Sequence, residues 1–306
     1  MNRASIRPAG LRHARTLLGA ALGALGLMLA GAAPQAGAQR FEQGLLWRIE
    51  GAGAPASHVF GTVHVDDARV VQLPPAVARA LDEARSLAVE LGLTLGNVVA
   101  LAQGMMLRDG RDLATVAGAS LYARSAAAAA RIGLPEPALR LFKPWAAALL
   151  LMAPRQDPQR VLDYALVRRA QERGLPVYEL ESVEEQIAVF DGLAEQDQVA
   201  LLRRAVDEHE RLPGVIERVV GAYLARDLAA MWRISQEGGG DAAARRLDEL
   251  IVRRVLEARN ERLAQRMEAR LREGAAFVAL GALHLYGERG VLALLERRGW
   301  RVTRVY

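Results

Sequence analysis

The sequence predicts an α/β fold: a mixed sheet built from two pseudo-symmetric strand–GxxH–helix–strand halves with large helical insertions. Three observations carry this expectation. Apolar strands at 59–64 and 277–284 end in the same pattern, Gly61-Thr62-Val63-His64 and Gly281-Ala282-Leu283-His284. Each is followed by a loop, a helical segment and a further strand, at 59–91 and again at 277–305. The long stretches between them, rich in alanine, leucine, arginine and glutamate, repeat their apolar positions at helical spacing.

Taken in order, 45–50 alternates as a first strand, Gly51-Ala52-Gly53-Ala54-Pro55 makes a turn, and 58–62 returns, which predicts a hairpin. Pro74-Pro75 opens a helix to about 84, since proline is tolerated in a first helical turn. The segment 86–91 reads as a buried strand ending in Val89-Glu90-Leu91. From 95 to 153 the pattern is helical, and 141–152, containing Lys143-Pro144-Trp145, is apolar nearly all round and so predicts a buried helix. An amphipathic helix over 161–173 stops at Gly174, and a strand over 176–180 ends at Glu181. Ser182 then caps the next helix, with Glu185 as its capping-box partner.

Helices fill 195–237 up to the break Gly238-Gly239-Gly240, and one long helix is predicted over 243–272. Its apolar stripe runs Val252, Leu256, Leu263, Met267, Leu271, with Asn260 where an apolar residue is due. The second histidine strand, a helix over 290–298 and a last strand over 300–305 close the chain.

The first 38 residues form a separate leader. Arg3, Arg7, Arg12 and Arg15 precede an apolar run at 17–30, and Ala36-Gly37-Ala38 supplies a small-x-small cleavage pattern. This predicts a signal peptide at 1–38, an α/β domain at 39–306, and a periplasmic or secreted protein. The run is short for a membrane span, and no stable span is expected after cleavage. Removing the four leader arginines takes the formal charge from +5 to +1, which gives no electrostatic reason to expect nucleic acid as a partner. The chain has no cysteine, so disulfides and thiol nucleophiles are excluded. No Gly-x-Ser-x-Gly elbow, phosphate loop or zincin histidine pair is present. His209, within Asp207-Glu208-His209-Glu210, reads as a solvated helix face.

His64, Glu90, Glu181 and His284 all end predicted strands, and ligand sites of α/β sheets lie beyond such ends. Two imidazoles with one or two carboxylates form a ligand set for a divalent transition metal such as manganese, cobalt or zinc. A spare glutamate beside such a metal can act as a general base. Each residue also has a plainer reading. A strand-end histidine can be satisfied by backbone hydrogen bonds, Glu90 can pair with an arginine, and Glu181 before a helix favours the helix dipole. Arg259 and Asn260, polar in an apolar stripe, contact a site or fix helix register.

The chain resembles the TraB/GumN family, relatives of the Tiki-type proteins, over nearly its whole length after the leader. The resemblance rests on Trp47 with Gly61-Thr62-Val63-His64, Leu73-Pro74, Val89-Glu90, Lys143-Pro144-Trp145, and Leu180-Glu181-Ser182 with Gln186. It continues with Arg259-Asn260, Gly281-Ala282-Leu283-His284-Leu285-Tyr286-Gly287 and Gly299-Trp300. It implies a pseudo-symmetric α/β core with both Gly-x-x-His motifs in one cleft, and relatives that are metal-dependent proteases, erythromycin-esterase-like or haem-binding ChaN-like proteins. Carried onto this sequence, His64, Glu90 and His284 are the principal site residues, Glu181 a further metal ligand, and Arg259 and Asn260 orient substrate or stabilise an oxyanion. The expected function is a metal-dependent hydrolase acting on peptides or small molecules. Two alternatives stay open: a haem- or metal-binding envelope protein without turnover, and a non-catalytic factor in polysaccharide or surface assembly.

Overall fold

The computed structural model describes residues 40–92, 94–154, 156–237 and 241–306; the expected leader and the triglycine break lie outside them. The alternating segment forms β1 (Leu46–Glu50), paired antiparallel with β2 (Ser57–Thr62), so the hairpin is present. The other strands are β3 (Ser86–Val89), β4 (Val177–Glu179), β5 (Ala276–Gly281) and β6 (Arg301–Arg304). They make one six-stranded mixed sheet in the order β4-β3-β5-β2-β1-β6, surrounded by many helices, an α/β fold.

Strands β2, β5, β3 and β4 run parallel, while β1 is antiparallel to both its neighbours. The centre of the sheet is buried on both faces, which is why Ser86-Leu87-Ala88-Val89 and Ala276-Phe277-Val278-Ala279-Leu280 read as near-continuous apolar runs. Register then decides what meets beyond the strand ends. Thr62 lies opposite Gly281, and Val89 opposite both Ala279 and Glu179. His64, Glu90, Glu181 and the turn carrying His284 are thereby delivered to one end of the sheet.

Gly61 allows that end to close. A Cβ at this position would stand 3.0 Å from Leu285 Cδ1 and 3.1 Å from the Cα of Ala282, so the turn after β5 packs directly on β2. Gly61→Ala is therefore expected to destabilise the protein by about 1–3 kcal/mol, the usual result of overpacking a filled interior. Thermal denaturation checks this, and an unshifted midpoint would show that the contact yields freely.

Two expectations about helices are corrected. The helix predicted over 243–272 is interrupted: Ala242–Val252 passes into a π-helical turn, Arg253–Glu257, before Ala258–Glu273 resumes. The wider turn alters the phase of the buried stripe, and Arg259 and Asn260 both end up buried beside it. His209 does not sit on a solvated face. It is half-buried in the short turn His209–Arg211, with Nδ1 2.9 Å from the carbonyl of Leu151.

The apolar stretch before it behaves as expected. Every residue of Pro144–Met152 is buried, and Trp145 stacks on Phe190 at 5.5 Å while its Nε1 donates to Asp191. Lys143 pairs with the same Asp191, so Lys143-Pro144-Trp145 is a packing element of the helix start. The Ser182–Glu185 capping box is formed. Among the described residues no helix is long and apolar enough to cross a membrane.

Candidate metal and catalytic site

Arg259 organises the carboxylates. Its side chain is 1% exposed, on the first turn after the π-helical segment. Nε and Nη2 donate to Glu181 at 3.0 and 2.5 Å, Nη2 also donates to Glu90 Oε2 at 2.5 Å, and Nη1 reaches the carbonyl of Val255. Glu181 is fully buried and also accepts from Gln186, with Arg262 at 3.5 Å. Glu90 differs. Its other oxygen, Oε1, accepts the backbone N–H of Gly281 at 2.6 Å and lies 3.7 Å from His284 Nε2. Burial pushes the Glu90 carboxyl up, but Arg259, the two histidines and the Gly281 N–H outweigh it and hold it at about 2.

A chain of hydrogen bonds fixes His284. Asn260 Nδ2 donates to the carbonyl of Arg289 at 2.8 Å, which can only accept. Asn260 Oδ1 therefore faces the ring, 2.6 Å from His284 Nδ1, and Nδ1 carries the proton. Burial lowers this imidazole to about 4 despite the pull of Glu90, so at neutral pH it is uncharged. Its Nε2 is then a lone pair directed at a carboxylate oxygen.

His64 is held otherwise. Nδ1 lies 2.7 Å from Asp163 Oδ2, and Asp163 Oδ1 accepts from the hydroxyl of Thr62 at 2.8 Å. Burial disfavours the charged ring here too, but the Asp163 carboxylate more than offsets it and raises His64 to about 9. The two histidines of the matched motifs thus differ in charge, because one has a carboxylate partner and the other an amide.

These groups line a cavity of about 50 Å³. His64, Glu90, Arg259 and His284 form its polar wall, and Ile216, Val219, Met231, Val255, Leu256 and Leu283 much of its apolar one. Ile216, Val219 and Met231 come from the helical stretch between β4 and β5. Glu181 and Asn260 do not line the cavity. Both oxygens of Glu181 are engaged by Arg259. Asn260 bonds His284 and the carbonyl of Arg289, and Arg259 bonds Glu90, Glu181 and the carbonyl of Val255.

As the side chains stand, no three His, Cys, Asp or Glu groups among the described residues converge closely enough to hold a metal ion. The chemistry of the donors nevertheless fits one. A neutral imidazole lone pair facing a carboxylate across 3.7 Å leaves two acceptors opposed, and a cation between them satisfies both. Both imidazoles also have Nδ1 engaged and Nε2 remaining, the second-partner pattern of metal-ligating histidines.

Sequence reasoning missed Asp163. It occupies the first turn of Leu162–Glu172, where an acid is ordinary helix chemistry, and nothing local marks it as a partner of a histidine 99 positions earlier.

The TraB/PrgY/gumN family matches residues 45–304. Among curated proteins, the chain is 25% identical to Metalloprotease TIKI2 of Danio rerio over 81% of this chain and 58% of that protein. It is 25% identical to the Metalloprotease TIKI homolog of Amphimedon queenslandica over 85% and 61%, and 24% identical to Metalloprotease TIKI1 of Danio rerio over 84% and 62%. The chain thus spans about three fifths of the length of these relatives. No solved structure matches it.

Proposed function

The chain belongs to the TraB/PrgY/gumN family, and from that premise we propose that it is a metal-dependent hydrolase of peptide bonds, working in the periplasm or outside the cell. Its metal would be held by Nε2 of His64, Nε2 of His284 and the Glu90 carboxylate. The names of its distant relatives support the metal and the peptide substrate. One observation carries the reading: the Arg289–Asn260–His284 chain, which fixes the imidazole with its Nε2 lone pair opposite Glu90.

When bound, a manganese, cobalt or zinc ion supplies Lewis acidity that activates water against a carbonyl at neutral pH. Everything else falls to the protein. Arg259 and the Gly281 N–H hold the Glu90 carboxyl below the usual carboxylate range, so it offers an ionised oxygen as ligand. Arg259 keeps Glu90 in place, and Asn260 sets the tautomer of His284. His64 holds a proton on its own and must release it to ligate, so metal uptake is expected to liberate protons. The apolar wall limits how much water surrounds these donors. A cavity of about 50 Å³ has room for a few waters, at the ~10–15 Å³ that one needs. The adjacent parallel pairing of β2 with β5 supports reading the two Gly-x-x-His units as duplicated halves of the fold.

The test is metal content by mass spectrometry, alone and after exposure to manganese, cobalt or zinc, for residues 39–306 and for the His64→Ala, His284→Ala double variant. Near-stoichiometric metal in the first and none in the second is the expected result. Metal-free protein that takes up none of the three ions overturns the proposal.

A further inference from the structure

Each site histidine needs something to decide which ring nitrogen faces the cavity. For His284 the answer is on the helix Ala258–Glu273: Asn260, itself oriented by the Arg289 carbonyl. His64 has no such amide. What stands beside its Nδ1 is Asp163, from the helix Leu162–Glu172, which belongs to neither Gly-x-x-His unit.

Three features single out this carboxylate. Thr62, the last residue of β2 and 1% exposed, donates its hydroxyl to Oδ1 at 2.8 Å, which pins the carboxylate to the strand that leads to His64. Oδ2 is then left 2.7 Å from His64 Nδ1. That oxygen is buried and accepts no well-aligned hydrogen bond from any described residue, so the imidazole is the one group placed to satisfy it. A small rotation of the ring would turn the ion pair into a hydrogen bond. Leaving a buried carboxylate oxygen unsatisfied costs its full desolvation penalty, which favours that rotation and keeps Nδ1 on the Asp163 side.

We infer that Asp163, pinned by Thr62, is the positioning residue of His64: it takes the Nδ1–H and leaves Nε2 directed at the cavity. The inference rests on the metal-site reading only for its consequence in affinity. Its structural half stands without any metal. Asp163 and Asn260 then do the same task for the two histidines with different chemistry, one charged and one neutral, from two separate helices.

Two measurements test it separately from that reading. In metal-free protein, proton–nitrogen NMR of the histidine rings is expected to show a slowly exchanging Nδ1–H for His64, assigned by its loss in His64→Gln. Asp163→Ala should remove that signal, Thr62→Val should broaden it, and the His284 Nδ1–H should persist in both. A His64 signal unchanged in Asp163→Ala overturns the inference whether or not the protein binds metal. Thr62→Val removes one hydroxyl and keeps the shape of the side chain, so it gives a result even where Asp163→Ala folds poorly; a sharp, unshifted signal in it counts equally against the proposal.

The second measurement is cobalt affinity by chelator competition. It is expected to fall about 10–100-fold in Asp163→Ala and less in Thr62→Val, the usual effect of losing a partner of a metal-binding histidine. Unchanged affinity in a variant that has lost the NMR signal would confine Asp163 to shaping the metal-free site and overturn its role toward the metal. Failure of the wild type to bind cobalt, manganese or zinc would instead count against the proposed function.

Discussion

Arg259→Leu is expected to be the most damaging single change outside the sheet. The guanidinium is 1% exposed and is the shared partner of two buried carboxylates. Truncating it to an apolar side chain strands Glu181, which is fully buried, with only Gln186 and a long contact to Arg262. Breaking one side of a buried ion pair typically costs about 3–5 kcal/mol, because the remaining charge keeps its desolvation penalty. For a chain of this size that lowers the melting midpoint by roughly 6–20 °C. The same change frees Glu90 Oε2, so the cavity loses its fixed carboxylate as well. Adding Glu181→Gln to Arg259→Leu is expected to recover part of the stability, since neutralising the stranded partner removes the cause of the loss. A single variant within 1 kcal/mol of wild type, or a double variant strictly additive with its parents, would show that the network carries little.

That network also marks where the sequence stops being legible. Local chemistry reads well: the β1–β2 hairpin follows from alternation around a glycine-rich turn, Ser182 and Glu185 form their capping box, and the all-apolar 144–152 helix is buried on every side. The glycines and histidines of the two motifs are equally visible, as is the oddity of polar residues at 259 and 260 in an apolar stripe. What each polar group meets is decided elsewhere. Glu90 and Glu181 look alike as strand-end acids, yet Arg259 engages both oxygens of one and only one oxygen of the other. Asp163 acquires its partner because the helix Leu162–Glu172, which packs on β3 and β4, brings its first turn to the end of β2, although His64 lies 99 residues earlier in the chain. The π-helical turn at Arg253–Glu257 has no sequence marker that periodicity could register, because one extra residue in a turn still looks like a helix with a slip in its stripe. Partners across the fold are set by register and packing, and no single segment contains them.

The difference between the two glutamates yields the second large effect. Glu90→Gln is expected to abolish metal binding or reduce it by two orders of magnitude, while costing only about 1–3 kcal/mol of stability. Arg259 keeps its two-nitrogen contact with Glu181, and a glutamine oxygen can still accept from either Gly281 N–H or Arg259, though not from both. What disappears is the negative charge opposite His284 Nε2. Glu181→Gln should do the reverse. The two arginines beside that side chain can only donate, so an amide NH₂ meets no acceptor on them, and Arg259 loses the counter-charge it holds through two nitrogens. A stability loss approaching that of Arg259→Leu, with metal affinity kept at temperatures where the variant is folded, is the expected result. Measuring denaturation midpoints and chelator-competition affinities on both variants separates the roles. If Glu181→Gln lost metal at full stability, or Glu90→Gln kept it, the assignment of Glu90 to the metal and Glu181 to the scaffold would be reversed. The geometry gives the physical reason to expect otherwise: Glu181 is paired through both oxygens with a buried arginine and does not line the cavity, whereas Glu90 does.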